Sequence, residues 1–173
     1  MSGQASQQYI GTKIVSAQPM TRAEYNAYRG WELPANEDGA DAGYLVEYHD
    51  GGKANDPRHA GYISWSPEDV FARAYRPIDG MTFGQAIEAL KAGLRVARAG
   101  WNGKGMWLAY TPGSEFAPEL AKPGHAAAHR AKEAPGDNVR LLPHIDMRAA
   151  DGSMVIGWLA SQTDMLAEDW LVV

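Results

Sequence analysis

The chain has 173 residues, a formal net charge of −5 and no cysteine. That length holds one medium domain or two small ones. Without a thiol there is no disulfide framework and no thiolate metal site, and the negative balance argues against a nucleic-acid polyanion as main partner. No run of about 18 apolar residues occurs, so no membrane-spanning helix is expected.

Residues 1–8, MSGQASQQ, lack the basic start and apolar core of a secretory signal and read as a disordered tail. Residues 9–79 read as a small α+β module. Ile10 to Gln18 reads as a strand centred on Ile14 and Val15. Thr21 and Glu24 have capping-box spacing and open a short helix through Tyr28. An acidic, turn-rich loop follows, then strands at Tyr44–Tyr48 and Gly61–Trp65, giving a three-stranded sheet. Ser66 as N-cap with Pro67 in the first turn starts a second helix, with Val70, Phe71, Ala74 and Tyr75 as its apolar face. Trp31, Tyr44, Tyr48, Tyr62 and Trp65 read as sheet core, because alternate aromatics on short strands pack one face.

Arg76 to Gly80 is the boundary, and residues 80–173 form a second unit. Thr82 and Gln85 make another capping box, and Phe83, Ala86, Ile87 and Leu90 recur at helical spacing. Gly93 stands where a left-handed helix stop is needed. Leu94–Ala99 and Met106–Thr111 read as strands joined by the turn Trp101-Asn102-Gly103-Lys104-Gly105, with Asn-Gly as the turn signal. Residues 112–142 form a long insert, read as an exposed mobile loop with an Ala-rich helical turn. His125 and His129 have zinc-binding spacing, but the sequence offers no third ligand, so no metal is assigned. Pro143–Arg148 and Ser153–Leu159 form a hairpin about Asp151-Gly152. Ser161 and Asp164 cap a single helical turn, and Trp170–Val173 closes a sheet of about five strands, with Trp158 and Trp170 in the core. The fold class is α+β: two small units, each an antiparallel sheet with one or two short helices.

Positions 1–79 hold seven basic and eleven acidic residues, which leaves the remainder near neutrality at −1. Within that remainder Lys91, Arg95, Arg98 and Lys104 gather around the turn, and no acid falls between Glu88 and Glu115. Positive charge, glycine amides and the flat faces of Trp101 and Trp107 suit a phosphate-bearing ligand with a base to stack. A well-packed hairpin with solvated basic residues has the same pattern.

GWNGKGMWL at 100–108 and WLASQTDMLAEDW at 158–170 together resemble the phage-encoded Thoeris anti-defence proteins of the second type, across Met81 to Val173. The resemblance implies a non-enzymatic sponge in the host cytoplasm. Such proteins bind cyclic nucleotide immune signals, notably glycocyclic ADP-ribose and in some members cyclic oligonucleotides, and keep them from the effector. It implies a homotetramer with pockets between subunits, no cofactor, no DNA and no membrane. A ligand of two phosphates, riboses and adenine selects Arg95, Arg98 and Lys104 with the Gly103 and Gly105 amides for phosphate. Trp101 or Trp107 would stack on the base, and Asn102, Ser161, Gln162 and Asp164 would give polar contacts. Asn102 serves equally as a turn residue, and Ser161 with Asp164 as mutual caps. The first unit, with IGTK, PMT, YRGW, GYLVEY, SWSPEDVF and AYR in order, resembles modules fused ahead of this family, with no activity attached.

Two other functions fit the residues less well. A hydrolase would need an acid/base pair, and His144 with Asp146, two apart on one strand, is the best available. A phage structural or adaptor protein would act through the first unit's aromatics and acidic loop.

Overall fold

A computed structural model describes residues 10–102 and 105–173; the tail expected at 1–8 and the turn residues Gly103 and Lys104 lie outside the described residues. The chain divides into two compact units between Arg76 and Pro77.

The first unit is an antiparallel sheet of β1 (Val15–Pro19), β2 (Gly43–Tyr48) and β3 (Tyr62–Pro67) in sequence order. Helix α1 (Arg22–Arg29) lies between β1 and β2, and its Thr21–Glu24 capping box is formed. Tyr25, Leu45 and Ile63 make the core, with Met20, Tyr28 and Trp65 packed against it. The strand expected from Ile10 starts only at Val15, because its register ends on Tyr48 and the partner strand ends there. Ile14 is accordingly exposed.

Helix α2 (Glu68–Ala74) begins one residue later than expected: Ser66 pairs with Tyr44 inside β3, so Pro67 becomes the N-cap and no side chain caps the helix. Its expected apolar face is shallow. Val70 is exposed, while Phe71 stacks between Tyr44 and Tyr75 with ring centroids 4.2 and 4.8 Å away. Trp31 and Tyr62, expected in the core, are largely exposed. Trp31 lies beyond the end of α1, edge-on to Tyr25 and under the Arg29 guanidinium.

The second unit is built on α3 (Phe83–Lys91), whose Thr82–Gln85 capping box is also formed. At its C-terminus the Gly93 amide donates to the Leu90 carbonyl and the Leu94 amide to that of Ala89, with Gly93 at φ +87°. That double closure uses a left-handed residue, which glycine supplies at least cost. It also spends Leu94, so β4 is only Val96–Arg98, shorter than the six residues expected.

Strand β5 (Trp107–Thr111) is followed by the insert, which is ordered rather than a loose loop. It holds β6 (Ser114–Phe116), a 3-10 turn at Pro118–Leu120, α4 (Ala126–Glu133) and β7 (Val139–Leu141), with β6 and β7 paired. His125 is the extended N-cap of α4, so it and His129 do not share a helix face. Then come β8 (His144–Arg148), β9 (Met154–Val155), α5 (Gln162–Met165) and β10 (Trp170–Val172). The return strand expected to reach Leu159 stops at Val155, since Gly157 turns the chain at φ +78° and the Trp158 amide bonds back to the Ile145 carbonyl.

The main sheet is five-stranded and antiparallel in the order β10-β4-β5-β8-β9. Helix α3 packs on one of its faces against β4, β5 and β10. Ala86, Ala89 and Leu90 of the helix meet Val96, Leu108, Met147 and Trp170 of the sheet. Trp170 is fully buried in this core, and Trp158 packs edge-on against it with centroids 6.3 Å apart.

Candidate functional site

The glycine-rich turn joins β4 to β5 at one end of this sheet, and strand alternation divides the sequence-predicted residues between two groups. Arg98 faces Trp170 across the β4–β10 register. Its Nε donates to Asp169 Oδ1 at 2.8 Å, and its Nη1 donates to Asp164 Oδ1 at 2.9 Å and to the Thr163 carbonyl at 3.2 Å. The Gly100 amide donates to Asp169 Oδ2 at 2.7 Å. The Trp101 indole N–H donates to Asp164 Oδ1 at 3.1 Å, and that of Trp170 to the Asp164 carbonyl at 3.0 Å. Ser161 and Asp164 cap α5 reciprocally.

Asp164 is therefore the hub that ties α5, the turn and β4 together. Burial pushes its carboxyl up, but the Ser161 hydroxyl, Arg98 and the Trp101 N–H outweigh that and hold it down at about 2. Arg98 likewise holds Asp169 below the usual carboxylate range, helped by the Gly100 amide. Two ionised carboxylates thus neutralise the Arg98 guanidinium. Trp101 is half-buried, edge-on to Trp158 and Trp170 at 6.2 and 5.4 Å between centroids. Asn102, Ser161 and Gln162 are exposed near this group in sequence.

Arg95 and Trp107 form the second group. The Arg95 guanidinium carbon lies 5.2 Å from the Trp107 ring centroid, a cation–π contact, and Arg95 is exposed. Trp107 is opposite Arg148 in the β5–β8 register, and Arg148 Nη1 donates to the Gly105 carbonyl at 2.6 Å. Gly103 and Lys104 lie outside the described residues.

Sequence reasoning missed Asp169 and Arg148. The signal for Asp169 was its place one residue before a core tryptophan, but its partner lies 71 positions away. Arg148 was read only as the end of a strand. His144 and Asp146, the candidate acid/base pair, do meet, with Nε2 3.4 Å from Oδ1. Asp146 also accepts from the Thr111 hydroxyl and the Gly157 amide, bonds that pin the end of β5 and the bend after β9. A groove of about 510 Å³ lies in the insert, lined by Pro118, Ala121, Pro123, Ala128, His129 and Lys132 among others. It contains none of the sequence-predicted site residues. Among the described residues no three His, Asp or Glu side chains gather as a metal site, and no helix is long and apolar enough to cross a membrane.

The second unit is thus a small α+β domain that carries a basic, tryptophan-flanked turn at one end of its sheet. Residues 81–173 match the family described as the Thoeris anti-defense 2-like domain. Thoeris anti-defense 2 of Bacillus phage SP01 is 38% identical over 93 residues, a span that covers 54% of this chain and 94% of that protein. The chain belongs to the Thoeris anti-defense 2-like family, and membership supports a phage anti-defence role.

Proposed function

We propose that the second unit binds a cyclic nucleotide immune signal of the glycocyclic ADP-ribose type and sequesters it undegraded, so that a Thoeris-type effector stays inactive in the host cytoplasm. The observation that carries this reading is the family match across the whole unit, which includes both Gly100–Leu108 and Trp158–Trp170. Family resemblance adds a homotetramer with pockets between subunits, and possible use of cyclic oligonucleotides as ligands.

The local chemistry supports holding over turnover. Asp164 and Asp169 are kept ionised by ion pairs and hydrogen bonds, which makes them weak proton donors and weak bases near neutrality. Asn102 and Trp101 at the turn, with Ser161 and Gln162 at the start of α5, offer polar and aromatic contacts to a ribose and a base. Sequestration requires a dissociation constant below the signal concentration; nanomolar binding corresponds to about −12 kcal/mol.

Calorimetric titration with glycocyclic ADP-ribose, with cyclic oligonucleotides in parallel, tests the reading. Tight binding at one ligand per two subunits, with intact ligand released on heat denaturation, is the expected result. Absence of binding, or release of an altered nucleotide, overturns it.

A further inference from the structure

The register of the five-stranded sheet places a second cation beside the turn. Leu108 and Met147 are opposite each other and belong to the core beneath α3. Their neighbours Trp107 and Arg148, also opposite each other, therefore point to the other face of the sheet. Arg95, one residue before the core residue Val96, reaches the Trp107 ring from β4's side. The indole thus has an arginine from each flanking strand. Those strands are roughly 10 Å apart, two interstrand spacings.

Arg98 has its charge matched by two carboxylates. Among the described residues neither Arg95 nor Arg148 has a carboxylate within ion-pair distance; the Asp151 carboxylate feels the charge of Arg148 but makes no direct bond to it, so both guanidinium groups keep N–H donors for an anion. Arg148 spends one N–H on the Gly105 carbonyl and has four more to offer. Gly105 is shaped for this approach. It sits at φ +70°, and a Cβ there would lie 3.0 Å from Arg148 Nη1. A side chain at 105 would crowd the guanidinium and strain the left-handed backbone.

We infer that Arg148, with Arg95 and Trp107, forms a phosphate-and-base face on the side of the sheet opposite α3, and that it takes a nucleotide carrying more than one phosphate. The inference rests on the sequestration reading and deepens it. The flat indole supplies the stacking surface, and each arginine supplies a fork of donors to phosphate oxygens.

The test is titration of the full chain with glycocyclic ADP-ribose as probe, at low and high salt, for wild type, Arg148→Ala, Arg148→Gln, Arg148→Lys and Arg95→Ala. Gln retains an N–H donor for the Gly105 carbonyl but carries no charge, so it separates the charge from any structural effect, and thermal melting checks each fold. Arg148→Ala and Arg148→Gln should bind about 30-fold more weakly and with less salt dependence, Arg95→Ala should weaken in the same sense, and Arg148→Lys should recover part of the loss. Wild-type binding with all four folded variants within about twofold of it would overturn the inference and leave sequestration standing. Failure of the wild-type chain to bind the probe and cyclic oligonucleotides would overturn both. Weaker binding by Arg148→Ala alone, with Arg148→Gln unchanged, would mean Arg148 only positions the turn, and the inference would fall.

Discussion

Arg98 donates to Asp164 at 2.9 Å across 66 positions of sequence, with both side chains mostly buried. This pair fixes α5 against β4, and the same carboxylate caps α5 and accepts the Trp101 indole. Replacing Asp164 by Ala should strip the cap, leave the buried guanidinium with one carboxylate partner and free the indole. Removal of one member of a buried pair and of a helix cap together should destabilise the second unit by about 3 kcal/mol. Urea denaturation followed by tryptophan fluorescence measures it; a change below about 0.5 kcal/mol would show that the hub holds nothing together.

The same carboxylate gives an acid dependence. Its ordinary value is 3.8 and its folded value about 2. A depressed carboxylate adds stability that is fully present above its unfolded value and is lost as pH falls from about 4 through about 2. The contribution is about 2 kcal/mol, and Asp169, shifted in the same direction, adds to the same slope. Melting temperature should fall across this window in wild type and fall less steeply in Asp164→Asn, which starts lower. Parallel curves for the two proteins would contradict the assignment.

Much of this architecture was legible because it is local. The boxes at Thr21, Thr82 and Ser161 each use chemistry within four residues, and all three form. Strand ends were less legible because they depend on partners. Ile10 to Ile14 extend past the last residue of β2, and Ser66 is held in β3 by Tyr44 although it stands before a proline and two acids. The site was legible as a basic, aromatic turn. Its division was not, because Arg95 and Arg98 differ by three positions and only the pairing with β5 and β10 reveals which side of the sheet each serves. Arg148 is recognisable as Trp107's neighbour only once the β5–β8 register is known.

Gly93 allows a test of backbone conformation alone. At φ +87° it has nothing within 4 Å of where a Cβ would lie, so alanine would meet no clash. Gly93→Ala should still destabilise by about 1 kcal/mol, because an L-residue resists the left-handed region. Gly93→Asn should lose less, since asparagine tolerates that region better. Equal melting temperatures for glycine and alanine would mean that the stop after α3 has relaxed to another geometry.

Trp170 is fully buried, and its ring meets Phe83, Trp101 and Trp158. Trp170→Ala would leave a cavity too large for these neighbours to close, and should destabilise by about 4 kcal/mol. Trp170→Phe retains apolar volume but removes the indole N–H from the Asp164 carbonyl, which keeps the Ala167 amide, and should fall between wild type and the alanine variant. A phenylalanine variant as unstable as the alanine one would show that the hydrogen bond outweighs the packing.

The second unit should carry ligand binding without the first. The matched span covers 94% of the Bacillus phage SP01 relative, so that protein is nearly all this domain, and the core beneath α3 is built from residues 81–170 of this chain. A chain of residues 77–173 should therefore fold and bind glycocyclic ADP-ribose within about threefold of the full protein, a difference of less than about 0.7 kcal/mol. Circular dichroism checks the fold and calorimetry the affinity. Retained fold with lost affinity would place part of the ligand site in the first unit. Retained affinity with loss of anti-defence activity in infected cells would instead make the first unit an adaptor whose exposed Trp31 and Tyr62 face a protein partner.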